Sequence, residues 1–393
     1  MAFKRLLIVC LIIAVSSLEE EPGSQDVIKS DAETLEKGIT AEEIKKLVDL
    51  TRAAEMEAGR KIPEPLYPTR VLRKDTVKKL LSKVKMSRIE GVVQKLSSFH
   101  SRNALEYYGA SEAEGWLTEE LKKILVNFKG SSSIKFISNP RLQNHKPNII
   151  PYRQENIIVR MEGQDNAKKE QLVILGAHYD SIIGFEETAW IQNRKNRAPG
   201  ADDNATGCAV LMEVLRLLVQ SGIKLNHALE FHFYAATEIN VAGAYDVGQL
   251  YKKKNVKVKG LLSLDSLGHG TVIGFIGRNA ALNTFVKMLV NEYTDKVPLR
   301  EIDCEATCPL DFFAWHLVNI PSVSVRSFNL SPRIHTDGDT FDAVNFELVN
   351  QFLKVATAYV VELGEAVAIS SGWKMQLQWI VMGASFVGIW LLF

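Results

Sequence analysis

Histidines and carboxylates that could bind metal stand at the ends of apolar segments, or in the loops beside them. They are His178 and Asp180 in "LVILGAHYDS", Asp202 and Asp203 in "APGADDNATGC", Glu238 in "FYAATE", Asp265 in "LLSLDS" and His335 in "SPRIHTDGDT". Zinc accepts imidazole nitrogen and carboxylate oxygen. A carboxylate that bridges two metals suits ions about 3.5–4 Å apart.

Each of these residues alone also has a structural explanation. A single histidine at a strand end is commonly a hydrogen-bonded structural residue, and Asp202 or Asp203 could cap the following helix. Their common position at segment ends favours a metal site over a set of unrelated caps.

The segments that carry these residues predict a layered α/β domain. Apolar strand-like segments such as "ENIIVRMEG", "QLVILGAHYD", "HALEFHFYAA" and "IPSVSVRS" alternate with helical ones such as "ATGCAVLMEVLRLLVQ". Strands that alternate with helices of ten or more residues predict a largely parallel sheet. Ligands of such sheets collect at the carboxyl ends of the strands, where the polar residues stand.

Five motifs in this order resemble peptidase family M28, a family of zinc exopeptidases. They are "GAHYDS", "APGADDNATG", "FYAATE…AGA", "LLSLD" and "PRIHT…DT", and the similarity runs from about residue 88 to residue 364. The nearest type is the secreted bacterial leucyl aminopeptidase. The resemblance implies a three-layer α/β/α zinc-exopeptidase fold with a mixed, largely parallel central sheet.

The resemblance also implies two zinc ions as cofactors and peptides with a free N-terminus as substrates. Asp203 would bridge the two ions, His178 and Asp265 would complete one site, and Glu238 and His335 would complete the other.

The resemblance assigns Asp180 to orient the His178 ring, but the sequence departs from the family pattern at the general base. The family has two adjacent glutamates, of which the first is the base and the second a ligand. Here Thr237 occupies the base position and Glu238 the ligand position. A hydroxyl does not by itself exchange a proton near neutral pH, and general acid–base catalysis supplies about 10²–10⁴-fold.

Three hypotheses follow. The protein is a zinc aminopeptidase in which another carboxylate, such as Glu301, Asp303 or Glu305, serves as base. Alternatively, it binds zinc and a peptide or a partner protein without hydrolysis. The third is a glutaminyl cyclase-like enzyme, although those relatives also use a glutamate as base.

The two ends of the chain predict passage through the secretory pathway. Residues 1–18 have the basic start, apolar run and small residues of a signal peptide. Residues 19–85 are a charged helical extension or propeptide, and residues 86–365 form the peptidase-like domain. Residues 366–393 resemble a GPI-attachment signal or a short membrane anchor, since their uncharged tail would make a helix of only about 22 Å. The expected location is the outer face of the plasma membrane, or the extracellular space.

Cysteines, sequons and charge complete the predictions. Cys304 and Cys308 are close enough for a small disulfide loop in an oxidising compartment, which is favoured over zinc binding by this pair. Cys208 lies on an apolar helix and is expected to be buried. Asn329 in "NLS" is a glycosylation candidate, whereas Asn204 in "NAT" lies in the metal loop and is expected to stay unmodified. The balance of 47 basic and 46 acidic residues predicts no general affinity for nucleic acid.

Overall fold

A computed structural model describes residues 66–138, 152–185, 191–303 and 310–367. The predicted signal peptide, the C-terminal tail beyond residue 367 and the Cys304–Cys308 pair lie outside these ranges. Within them, no helix combines the length and the apolar character that a membrane span requires.

A mixed eight-stranded sheet forms the centre of the domain. The strands in the described ranges are β1 Ser132–Ile137, β2 Asn156–Met161, β3 Gln171–His178, β4 Lys224–Leu225, β5 Ala228–Tyr234, β6 Lys257–Asp265, β7 Ile273–Gly277, β8 Leu299–Glu301, β9 Ser322–Ser327 and β10 Ala366–Val367. The sheet order is β1-β2-β5-β3-β6-β9-β7-β8, and β4 pairs separately with β10. The central strands β5, β3, β6 and β9 are parallel, whereas β2 and β7 run antiparallel to their neighbours β5 and β9.

Helices pack on both faces of this sheet. They are α1 Lys74–Leu81, α2 Met86–Ser98, α3 Tyr107–Leu125, α4 Thr206–Ser221, α5 Ala242–Lys253, α6 Ala280–Tyr293, α7 Asp311–His316 and α8 Phe346–Leu363. Local sequence explains several of their starts, because the Asn279 side chain accepts from the Leu282 amide and Asn345 accepts from the amides of Glu347 and Leu348. Such N-caps satisfy amides that the first helical turn leaves without partners.

Alternating side chains of the central strands pack into two separate hydrophobic cores, one on each face of the sheet. On β3, Val173 and Leu175 lie in a large core with the buried faces of α2, α4, α6 and α8. The intervening Leu172 and Ile174 lie in a smaller core with α5 and α7. Because successive side chains of a strand point to opposite faces, this pattern makes three layers and confirms the predicted α/β/α architecture.

The folded domain begins before residue 86, where the sequence prediction placed its start. Tyr67, Val77 and Leu80 are buried in the larger core. The amides of Leu72 and Arg73 donate to the fully buried carboxylate of Glu362 on α8. The end of the predicted extension is therefore an integral part of the domain.

Candidate metal centre

The five ligand candidates meet at one edge of the sheet, around the carboxylate of Asp203. One oxygen, Oδ1, lies 3.3 Å from His178 Nε2, which is itself 3.6 Å from Asp265 Oδ2. The other oxygen, Oδ2, lies 3.1 Å from His335 Nε2, which is also 3.1 Å from Glu238 Oε2. Asp203 therefore stands between two ligand pairs, each made of one histidine and one carboxylate.

The parallel strands and their loops bring these side chains together. His178 and Asp265 are the last residues of β3 and β6. Asp203 lies in a short π-helical turn before α4, and Gly200 precedes this turn with a φ of 53°, which a glycine adopts without strain. Glu238 follows β5, and His335 follows β9 with a left-handed φ of 55°.

The charges of the cluster strongly perturb its titration. Burial alone lowers the pKa of His178, but hydrogen bonds with Asp180, Asp203 and Asp265 raise it well above its ordinary value. Burial likewise opposes the charged form of His335, yet the carboxylates of Glu238 and Asp203 raise its pKa to about 11. The pKa of Glu238 rises to about 7, because burial and the neighbouring Asp203 charge outweigh His335. The site therefore favours bound positive charge.

The donor set fits a divalent metal ion. Two tetrahedral ligand atoms about 2.0–2.1 Å from zinc are separated by about 3.3 Å, and the four distances around Asp203 run from 3.1 to 3.6 Å. Two buried atoms of the cluster, Glu238 Oε1 and His335 Nδ1, have no hydrogen-bond partner among the residues that the structure describes. One ligand atom from each of His178, Asp203 and Glu238 lies within 4.8 Å of the others.

Asp180 is placed as the resemblance implied and also joins two ligand segments. It is fully buried, and its Oδ1 accepts from His178 Nδ1 at 3.2 Å. The same oxygen accepts from the Thr237 amide at 3.0 Å, and Oδ2 accepts from the Glu238 amide at 3.1 Å. One carboxylate thus orients the ring of His178 and holds the loop that carries Glu238, and both of these residues are ligand candidates.

Sequence reasoning missed Asp339, which holds the metal loop from the other side. Its two oxygens accept from the amides of Asp202 and Asp203 at 2.9 and 3.0 Å. Burial raises its pKa to about 6. Asp339 belongs to the "DT" that ends the fifth motif, and this position was the only signal that could have singled it out.

Sequence reasoning also missed Arg102, which lies four residues beyond Ser98, the last residue of α2. Its guanidinium is completely buried and donates to the carbonyls of Leu96, Tyr179, Pro199 and Gly200. Tyr179 directly follows His178 at the end of β3, and Gly200 directly precedes the turn that carries Asp203. Arg102 therefore links the two loops that carry these ligand candidates.

Thr237 points its hydroxyl at a carboxylate that the sequence did not single out. Its Oγ1 donates to Asp311 Oδ1 at 2.5 Å, and both residues are buried. The proposed substitute bases are placed differently. Glu301 lies exposed on the edge strand β8 and pairs with Lys287, and Asp303 is exposed. Glu305 lies outside the described residues.

The burial of the remaining residues can be compared with the roles predicted for them. Asn204 is fully buried, and its Nδ2 donates to the Leu264 carbonyl. Asn329 is exposed, as a glycan acceptor must be. Cys208 is a buried free thiol on α4, which confirms the prediction for that residue.

Phe185, exposed by 64%, places its ring centroid 4.8 Å from that of His335 and offers an apolar surface beside the cluster.

The fold and the site together define an α/β/α protein with a candidate metal centre of carboxylates and histidines. The model of peptidase family M28 matches residues 156–360, and the chain belongs to this family. A probable leucine aminopeptidase of Arthroderma otae is 30% identical over 309 residues, which are 76% of this chain and 79% of that protein.

Solved structures share the fold. The LapA aminopeptidase of Legionella pneumophila has a TM-score of 0.67 at 22% identity, and the match covers 78% of this chain and 76% of that one. A zinc aminopeptidase from Bacillus subtilis has a TM-score of 0.56 at 13% identity, with 71% of this chain and 95% of that one covered. The match to the family model confirms the family that the five motifs indicated, and the solved structures confirm the fold.

Proposed function

We propose that this protein is a metallo-aminopeptidase that binds two zinc ions and hydrolyses N-terminal residues from peptides. The observation that carries the proposal is the position of Asp203, whose two oxygens face two different histidines at 3.3 and 3.1 Å. A single carboxylate between two ligand pairs suits a two-metal site. The family and the leucine aminopeptidase relatives support the same reaction.

Each group of the site has a defined part in this proposal. His178 and Asp265 would hold one ion, Glu238 and His335 the other, and Asp203 both. Zinc bound there would polarise the scissile carbonyl and make water a better nucleophile at neutral pH. The exposed ring of Phe185 would contact the peptide near its first residue.

The test combines metal analysis with turnover. The full-length protein, purified in detergent, is expected to hold two zinc ions per chain and to release the chromophore from leucine p-nitroanilide. His178→Ala is expected to lose zinc and turnover. His100→Ala, which removes an exposed imidazole that is hydrogen-bonded to the Lys195 carbonyl, serves as the control. Wild-type turnover no higher than that of His178→Ala would refute the peptidase assignment.

A second function is favoured by the threonine at the base position. The protein would then bind zinc and the N-terminus of a peptide, or a partner protein, without cleaving it. Zinc content of two per chain, together with peptide binding by calorimetry and no product by mass spectrometry, would select this function.

For the location, we propose entry into the secretory pathway and tethering to the outer surface of the plasma membrane. The signal-like residues 1–18 and the GPI-signal-like residues 366–393 support this. Release from intact cells by a phosphatidylinositol-specific phospholipase would distinguish a lipid anchor from an apolar peptide anchor.

A further inference from the structure

The contact between Thr237 and Asp311 joins the position of the missing base to a second carboxylate. The Thr237 hydroxyl donates to Asp311 Oδ1 at 2.5 Å. Asp311 is the first residue of α7 and is completely buried. Its second oxygen, Oδ2, is also buried and has no hydrogen-bond partner within the described part of the chain. A hydroxyl that donates to a carboxylate can accept a proton from water, because its own proton can pass to that carboxylate.

The surroundings of Asp311 favour uptake of a proton. Burial raises its pKa to about 7, although the charge of His178 and the Thr237 hydroxyl act in the opposite direction. The titratable groups that interact with it electrostatically are His178, Asp180, Cys208, Tyr234 and Asp265. Two of these are carboxylates, Asp180 just after β3 and Asp265 at the end of β6, and both disfavour a further negative charge at Asp311.

We propose that Thr237 and Asp311 together replace the missing glutamate as the proton acceptor and donor of hydrolysis. This inference rests on the proposed aminopeptidase function. As the attacking water loses a proton to Thr237 Oγ1, the hydroxyl proton of Thr237 moves to Asp311, and the water oxygen bonds to the scissile carbonyl carbon. When the C–N bond breaks, the proton returns from Asp311 through Thr237 to the leaving amine nitrogen. Thr237 is the catalytic residue, and Asp311 is the positioning residue behind it.

The loop geometry permits side-chain variants that leave the metal ligands in place. Asp180 holds the backbone amides of Thr237 and Glu238, so the loop does not depend on the Thr237 side chain. Thr237→Val keeps the shape and removes the hydroxyl, whereas Thr237→Ser keeps the hydroxyl. Asp311→Asn keeps the shape and removes the carboxylate.

Turnover by the zinc-loaded full-length protein is the first readout. Thr237→Val and Asp311→Asn are expected to lose about 100-fold or more in kcat, with little change in KM, because acid–base catalysis supplies 10²–10⁴-fold. Thr237→Ser is expected to stay within about tenfold of wild type, since the hydroxyl remains. The acidic limb of the pH profile is expected to disappear in Asp311→Asn. The controls are Thr284→Val and Asp295→Asn, two exposed positions outside the site.

A second readout does not require turnover. Carbon-13 NMR of protein labelled at the aspartate carboxyls is expected to show one titrating resonance that is missing in Asp311→Asn. Its midpoint is expected to rise in Thr237→Val, because a hydrogen bond to the charged form lowers a carboxyl pKa. Zinc content, measured for every variant, is expected to stay at the wild-type value.

The possible outcomes separate this inference from the proposed function. Full activity in Thr237→Val or Asp311→Asn, with an inactive His178→Ala, would overturn the relay and leave the aminopeptidase standing. An inactive wild type that gains activity in Thr237→Glu would also overturn the relay, since the site would lack its base. Absence of activity in both wild type and Thr237→Glu would overturn the relay and the aminopeptidase together.

Discussion

Replacement of Arg102 by methionine is the most informative test of how the domain holds its metal loops. The Arg102 guanidinium donates from Nε to the Tyr179 carbonyl at 2.7 Å and from Nη2 to the Gly200 carbonyl at 2.8 Å. Its Nη1 donates to the carbonyls of Leu96 and Pro199. Methionine keeps most of the apolar volume and removes every one of these donors.

The magnitude follows from the four carbonyls that lose a donor, of which that of Gly200 keeps a hydrogen bond from the Ala205 amide at 3.2 Å. An unsatisfied buried polar group costs about 1–3 kcal/mol. Local relaxation and water entry offset part of this, so we expect a loss of about 4 kcal/mol in unfolding free energy, at the high end for one substitution. At roughly 2 °C per kcal/mol for a large domain, the melting temperature falls by about 8 °C.

The same substitution is expected to weaken zinc binding. Tyr179 follows the ligand candidate His178, and Gly200 precedes the turn that carries the ligand candidate Asp203. Loss of residues that orient ligands reduces metal affinity about 10–100-fold. Arg102→Met is therefore expected to show this loss in a chelator competition assay at a temperature where it remains folded.

Arg197→Met is the matched control. Arg197 is exposed, and its Nη2 has one long contact of 3.4 Å to the Ser97 carbonyl. Its replacement is expected to change stability by less than about 0.5 kcal/mol. Calorimetry of the metal-free proteins measures both variants. A melting temperature for Arg102→Met within about 2 °C of the control, or unchanged zinc affinity, would refute the reasoning.

Two further predictions concern a close backbone approach and acid stability. Gly243→Ala would place a Cβ 2.0 Å from the Ala235 carbonyl oxygen and is expected to lower the unfolding free energy by about 3 kcal/mol. Gly91 lies on α2 with open space around it, so Gly91→Ala is expected to raise the unfolding free energy by about 0.5–1 kcal/mol. Denaturant unfolding checks the pair, and equal stabilities would contradict the close approach. Although burial opposes it, the hydrogen bond with His232 lowers the pKa of Glu230 from 4.5 to about 2. The stability that ionised Glu230 contributes is therefore present above pH 4.5 and lost as the pH falls towards 2. Glu230→Gln is expected to flatten the unfolding free energy over that range, and an unchanged pH dependence would contradict the assignment.

The sheet and the ligand candidates were accessible to sequence reasoning because local patterns mark them. Apolar segments such as the one before His178 indicate buried strands, and the polar residues at their ends share one edge of a parallel sheet. The start of the domain was harder to recognise. In the charged helix α1, only Val77 and Leu80 are buried, so its sequence looks like an exposed arm.

Arg102 and Asp311 could not be recognised from sequence, because their roles depend on contacts between distant segments. Arg102 reaches carbonyls of Pro199 and Gly200, which lie 97 and 98 residues away. Asp311 lies 74 residues from Thr237. Neither residue stands in a periodic pattern or a short motif, and each becomes meaningful only when the chain is folded.

Two carboxylates that are not ligand candidates hold the site in the same way, since each accepts hydrogen bonds from two successive backbone amides. This arrangement bears on the replacement of the family glutamate by Thr237. Asp180 accepts the successive amides of Thr237 and Glu238, and Asp339 accepts those of Asp202 and Asp203. Both contacts are made to the backbone, so they do not depend on the Thr237 side chain. Exchange of the family glutamate for threonine therefore changes proton transfer without changing the ligand frame. Comparison of Thr237→Glu with wild type consequently measures the chemistry of the base, and Asp311 is the group that determines how much of it the threonine retains.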